Sequence, residues 1–225
     1  MPRTPRRNLV DCPSTNHCTF RCHDSMPVFE DERMALKFLE LIAKYKLTYG
    51  ILIHAYCLMS THPHVLLTST RGQPAFSAFW QCVNQALAKY YNKVHGRRGQ
   101  VVMERLRSPM IEPGGRHLLT VMRYIDLNPV RAGASSSPKD WRFSSYRFYA
   151  FGETNPLIDE IPDYHALGST SAQRRLAYQH LFAQPLIAHL LERQPQFTLA
   201  DFIGSDSWLD RRRQVRAGEQ YQRFG

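Results

Sequence analysis

Residues 51–68 read Ile51-Leu-Ile-His-Ala-Tyr-Cys-Leu-Met-Ser-Thr-His-Pro-His-Val-Leu-Leu-Thr68. Ile51 to Met59 is rich in β-branched and apolar residues, Ser60 and Thr61 mark a short turn, and His62 to Thr68 returns as a second strand. The stretch therefore predicts a β-hairpin. Its returning strand opens with an H-x-H triplet, His62, Pro63 and His64. Side chains two apart on a strand leave the same face, so both imidazoles can close on one cation.

Working outward, Thr15 to Cys22 predicts an earlier strand. Asp31 to Tyr45 predicts a helix with Met34, Leu36, Phe38, Leu39, Leu41 and Ile42 on its apolar side. After the hairpin, Pro74 to Val94 carries Phe76, Phe79, Val83, Leu87 and Tyr90 at helical spacing. A basic loop from Gly96 to Gly99 holds Arg97 and Arg98, and a weaker strand is expected around Leu106 to Ile111. The order is strand, helix, strand, strand, helix, strand, helix, which is the ferredoxin-like pattern with an added helix. The expected fold is α+β: a ferredoxin-like antiparallel sheet with helices on one face, the added helix, and a mainly helical C-terminal extension. Gly152 to Pro156 reads as a turn-rich linker, dividing the chain into residues 1–150 and 151–225.

The added helix starts near Gly115 or Arg116. Leu118, Val121, Met122 and Ile125 recur at i, i+3, i+4 and i+7 and define its buried stripe. Tyr124 and Asn128 lie beside that stripe, four residues apart and so neighbours on the helix surface. Pro129 disfavours helical geometry at the residue before it, so the helix is expected to end at Asn128 with the amide free to turn toward a ligand.

The chain has 225 residues and a formal net charge of +10, and the charge is uneven. Residues 71–147 hold 13 Lys/Arg against 4 Asp/Glu, or +9, while the segments on either side are nearly balanced. Such a patch points to a polyanionic partner, and without a basic amphipathic helix bearing an aromatic insertion face nucleic acid is favoured over membrane. The basic N-terminus is followed by polar residues rather than the apolar core of a signal peptide, and no apolar run approaches a membrane span. Five cysteines without paired C-x-x-C spacing read as reduced thiols in a cytoplasmic protein. His17, Cys18, Cys22 and His23 suit an alternating strand better than a zinc site.

Two segments together carry a family resemblance: Ala55-Tyr-Cys-Leu-Met-Ser-Thr-His-Pro-His-Val-Leu-Leu67, and Arg123-Tyr-Ile-Asp-Leu-Asn-Pro-Val-Arg-Ala-Gly133. With the Met-Pro-Arg start and Trp141-Arg-Phe-Ser-Ser-Tyr146, residues 1–150 resemble the REP-associated tyrosine transposases of the single-tyrosine HUH superfamily. The resemblance implies a DNA endonuclease and strand transferase acting on single-stranded DNA with short palindromic hairpins, as a monomer or a homodimer. It implies Tyr124 as the nucleophile that leaves a 5′-phosphotyrosyl bond and a free 3′-OH. His62 and His64 fall on the metal ligands and Asn128 on the third ligand, which is a glutamine in related insertion-sequence transposases. Arg97, Arg98, Arg105, Arg107 and Arg131 are the candidate nucleic-acid contacts. The chain departs from the family pattern at Pro63, where a bulky apolar residue is usual, and at Thr61, where an asparagine is.

The chemistry is coherent. A phenol with a pKa near 10 is a poor nucleophile at neutral pH, so the electrophile must be improved. Two neutral imidazoles and an amide oxygen leave a cation its full charge for a non-bridging phosphate oxygen. The scarcity of thiolate and carboxylate ligands favours Mg²⁺ or Mn²⁺, and no nucleotide cofactor is required. Two other classes compete: a domesticated, non-cleaving binder of structured DNA or RNA, and a small H-x-H metal hydrolase, which would need a larger barrel and further ligands. Tyr90 and Tyr91 read as packing residues. A basic helix end at Arg211, Arg212, Arg213 and Arg216 reads equally as a hairpin grip or a solvated tail.

Overall fold

The computed structural model describes residues 10–103, 106–114, 116–183 and 194–221, with side chains of the last helix to residue 215. Arg105, Gly115, Leu186, Leu190, Leu191, the basic first seven residues and the Arg216 side chain lie outside what it describes.

Strands β1 (Ser14–Thr19), β2 (Ile51–Met59), β3 (His62–Ser69), β4 (Met110–Ile111) and β5 (Phe202–Ile203) form one sheet in the order β2-β3-β1-β4-β5. The first four strands pair antiparallel. The expectation did not include β5, which adds to β4 in parallel. β1 is shorter at its C-terminal end than its sequence suggests, and the region of Leu106 to Ile111 narrows to two strand residues plus a bridge between Thr19 and Arg107.

Helices α1 (Glu32–Tyr49) and α2 (Gly72–Val94) cover one face. Asp31 caps α1 by accepting from the Arg33 backbone N–H, and Gly50 ends it in the left-handed region at φ 62°, where a side chain would be strained. Phe38, Ile42, Phe76, Phe79, Val83 and Leu87 pack there on Cys18, Ile53, Val65 and Leu67. Leu36, expected on the apolar side of α1, is instead 48% exposed; Ala35 takes a buried place.

The opposite face receives α3 (His117–Asp126), whose Leu118, Val121, Met122 and Ile125 are buried as the stripe predicts. A register shift between Ile53 and Ala55 turns β2 so that Ala55, Cys57 and Met59 join this second core while Tyr56 and Leu58 join the first. One extra residue in a period-two strand exchanges its faces.

Pro63 fits its strand. Leu58, opposite it, donates its N–H outward to the Phe143 carbonyl at 2.9 Å. Leu58 and Pro63 are therefore a pair without mutual hydrogen bonds, and the proline nitrogen faces away from β2. On that side the β1 pairing ends at Thr19 opposite His64, so no ladder bond is lost. Residues 141–145 close the β2 edge: Trp141 Nε1 donates to the Leu58 carbonyl, and the Ser145 N–H to the Tyr56 carbonyl.

The C-terminal part holds α4 (Asn128–Arg131), α5 (Tyr146–Phe151), α6 (Pro162–His165), α7 (Ser171–His180) and α8 (Asp206–Tyr221). Ile161, Tyr164, Tyr178 and Phe197 are buried in the second core. Leu176 is 55% exposed, and Tyr178 takes the buried side of α7.

Candidate active site

β3 places His62 and His64 on the α3 side of the sheet, with ring centroids 4.9 Å apart. The same alternation brings His17 of β1 to this face, and its ring stacks on His64 at 5.1 Å. Tyr124 approaches from α3, its ring 5.9 Å from His64 and 5.7 Å from His17. His62, His64, Tyr124 and Asn128 all line one cavity of about 500 Å³.

The helix carrying Tyr124 ends earlier than expected. α3 stops at Asp126, Leu127 forms the joint, and Asn128 opens α4 with Pro129 in its first turn. The Asn128 Nδ2 donates to the carbonyls of Tyr124 at 2.9 Å and Ile125 at 3.2 Å, two of the last acceptors of α3. The amide is thus not free to turn: its nitrogen satisfies the helix end, which leaves Oδ1 as the group it can offer to a ligand.

His17 is fully buried and His64 is 2% exposed. Burial lowers the His17 pKa to about 4, against the raising effect of the Phe197 carbonyl. His64 is pushed well below the ordinary imidazole range, by burial first and then by His62, His17 and Arg131. Both rings are neutral near pH 7, the form in which imidazole binds metals. The His64 Nε2 is buried without a hydrogen-bond partner, which costs free energy in a protein interior unless a ligand or ion takes its place. The residues present therefore fit a divalent cation held by His62, His64 and Asn128. Among the described residues no group of three or more His, Cys, Asp or Glu side chains could hold a metal ion.

The basic candidates divide. Arg107 and Arg131 line the cavity, and the Arg131 guanidinium lies 4.7 Å from the Tyr124 ring centroid. Arg97 sits at the end of α2, against the Tyr91 ring and donating to Met26 Sδ. Neither Arg97 nor Arg98 lines the cavity. Tyr90 and Tyr91 pack on the first core. Sequence reading missed Arg21 and Thr198, which also line the cavity, and Phe197, whose ring lies 4.5 Å from that of Tyr124. It also missed His17 as part of the site; the available signal was a histidine at an alternating position of a strand that the ferredoxin-like order places beside β3.

The fold class is now defined: an α+β protein with ferredoxin-like strand order, an extra helix facing the open side of the sheet, and no described helix long and apolar enough to cross a membrane. Comparison with family models and with curated proteins found no match. Among solved structures, the chain is similar to a REP-associated tyrosine transposase bound to a REP hairpin, with a TM-score of 0.56 and 20% identity over 72% of this chain and 93% of that one. At that identity the likeness is one of fold.

Proposed function

We propose that the chain is a REP-associated tyrosine transposase: a metal-dependent endonuclease and strand transferase for single-stranded DNA with palindromic hairpins. Residues 1–150 are its catalytic unit and 151–225 a helical extension, in a cytoplasmic monomer or homodimer. The observation that carries the reading is the partnerless His64 Nε2, set in the wall of the cavity that also holds His62, Asn128 and Tyr124. The fold likeness and the basic middle of the chain support the DNA partner.

In this reading the Tyr124 hydroxyl attacks a phosphodiester. A P–Oη bond forms as the P–O3′ bond breaks, giving a 5′-phosphotyrosine and a free 3′-OH; the phenolic proton passes to solvent, which returns one to the departing oxygen. Arg131, over the Tyr124 ring, and Arg107, on the cavity wall, offset the charge that builds on the phenol and phosphate. A bound Mg²⁺ or Mn²⁺ would supply Lewis-acid polarisation of a non-bridging oxygen. Because the ester conserves the energy of the bond it replaces, another 3′-OH can reverse the step and join strands.

The test is covalent trapping. Wild type with a hairpin oligonucleotide and Mn²⁺ or Mg²⁺ should give a denaturation-resistant adduct, mapped to Tyr124 by mass spectrometry; Tyr124→Phe should give none, and His62→Ala or His64→Ala should abolish it while most DNA binding remains. Full activity in EDTA would sink the metal assignment. Cleavage without an adduct would make water the nucleophile, and an adduct at Tyr90 or Tyr91 would move it.

One observation favours a second reading, a domesticated binder of structured DNA or RNA that does not cut. Tyr124 is only 7% exposed, with the Phe197 ring against it. Retained hairpin binding with no adduct under any metal condition selects that reading.

A further inference from the structure

We infer that His17 is a positioning residue that sets the tautomer of His64, using a backbone carbonyl supplied by the C-terminal part of the chain. Three observations make the chain of contacts. The His17 Nδ1 lies 2.6 Å from the Phe197 carbonyl oxygen. The His17 Nε2 lies 2.9 Å from the His64 Nδ1. The His64 Nε2 is buried and unpartnered at the cavity.

A carbonyl oxygen can only accept, so the His17 Nδ1 carries a hydrogen. A neutral imidazole has one N–H and one lone pair, so the His17 Nε2 is an acceptor. The atom facing it, His64 Nδ1, must then be the donor. That places the only hydrogen of a neutral His64 on Nδ1 and leaves a lone pair on Nε2 of a side chain that lines the cavity. The opposite arrangement needs a charged imidazolium at His17, in a fully buried position, and leaves His64 with a buried N–H that meets no protein acceptor. Both features are costly.

The consequence rests on the proposed reading of His64 as a metal ligand. A ligating imidazole nitrogen must be free of its hydrogen, and the partner on the other nitrogen decides which tautomer is present. His17 therefore holds His64 in the ligating form before any metal arrives. It touches neither substrate nor metal in this scheme. The anchor comes from a residue 180 positions away in sequence, so placement of residues 194–199 is part of how the site is prepared.

The experiment is ¹⁵N NMR of the histidine side chains in the metal-free full-length chain, with His64 assigned by His64→Gln, followed by titration with Mn²⁺ alone. In wild type His64 should show a protonated Nδ1 and a lone-pair Nε2. His17→Leu, which can neither accept nor donate, should shift both nitrogens toward a mixture of tautomers and weaken Mn²⁺ binding about ten- to a hundredfold. His17→Gln, whose amide can donate to the Phe197 carbonyl and accept from His64, should restore both. A hydrogen on the wild-type His64 Nε2 overturns the inference without any variant being needed. So does a folded His17→Leu protein with unchanged His64 shifts and Mn²⁺ affinity. If wild type shows the expected tautomer but binds no Mn²⁺, the metal reading fails while the tautomer relay stands.

Discussion

The Asn128 side-chain nitrogen donates to the Tyr124 carbonyl oxygen at 2.9 Å, so a candidate ligand is tied to the backbone of the candidate nucleophile. The same amide also reaches the Ile125 carbonyl, and it thereby closes the C-terminal end of α3. Asn128→Ala removes two donated hydrogen bonds as well as the oxygen that a cation could use. It should lower stability by about 1 kcal/mol, read as a shift of the urea midpoint, and should slow adduct formation less than His64→Ala does, because water can replace one neutral oxygen ligand on Mg²⁺. An unchanged midpoint would show that the helix end does not depend on this amide.

In the proposed reading, the division of the arginines separates binding from chemistry. Arg97 and Arg98 lie away from the cavity that Arg107 and Arg131 line. Replacing Arg97 and Arg98 together by Gln should flatten the dependence of log affinity on log salt by about 1.4, at about 0.7 per lost contact on a single strand, with the rate of adduct formation at saturating DNA unchanged. Arg131→Gln should instead reduce that rate at least tenfold. An unaltered salt slope in the double variant would move the DNA path elsewhere, with Arg211 to Arg213 on α8 the next segment to neutralise.

Asp126, two residues after Tyr124, is fully buried and accepts from Tyr178 Oη at 2.7 Å and from Ser145 Oγ at 3.1 Å. Tyr178 belongs to α7, so this bond joins the C-terminal helices to the end of α3. Tyr178→Phe keeps the ring among Tyr146, Tyr149 and Tyr164 but removes the donor. It should cost about 2 kcal/mol, the penalty of leaving a buried carboxyl short of a partner. Equilibrium denaturation measures it, and a loss under 0.5 kcal/mol, on the order of a neutral surface change, would mean that the carboxyl finds another donor.

His54 sits at the β2 bulge, with Nδ1 2.7 Å from the Asp159 carbonyl and Nε2 2.7 Å from Thr68 Oγ1. Burial lowers its pKa below the ordinary 6.5, despite the raising effect of Asp159. The folded state thus takes up this proton less readily than the unfolded state, so the stability associated with neutral His54 is fully present above pH 6.5 and is lost as pH falls from there through the folded pKa. Measured stability of wild type should drop across that window, and His54→Gln should drop less. Parallel profiles for the two proteins would remove His54 as the origin.

Much was legible in the linear chain because the signals are local. Richness in β-branched and apolar residues with the Ser60-Thr61 turn identifies the β2–β3 hairpin, and a 3.6-residue period identifies α1, α2 and the buried stripe of α3. The spacing of His62 to His64 marks two neighbours on one strand, whereas Tyr124 and Asn128, read as one helix, fall on either side of the joint between α3 and α4. What the chain alone leaves open is everything that depends on a partner distant in sequence. His17 became part of the site only when burial of two faces set β1 beside β3 in one register. Phe197 reached the Tyr124 ring only when the C-terminal residues packed into the second core. The role of Asn128 changed because the carbonyls at the end of α3 needed a donor, and its own side chain was the nearest. Propensity and periodicity act over a few residues, and they sufficed for the β2–β3 hairpin, α1, α2 and the buried stripe of α3. Tertiary structure alone decided which polar groups meet at the cavity, since that pairing follows from satisfying buried hydrogen bonds between segments as far apart as His17 and Phe197.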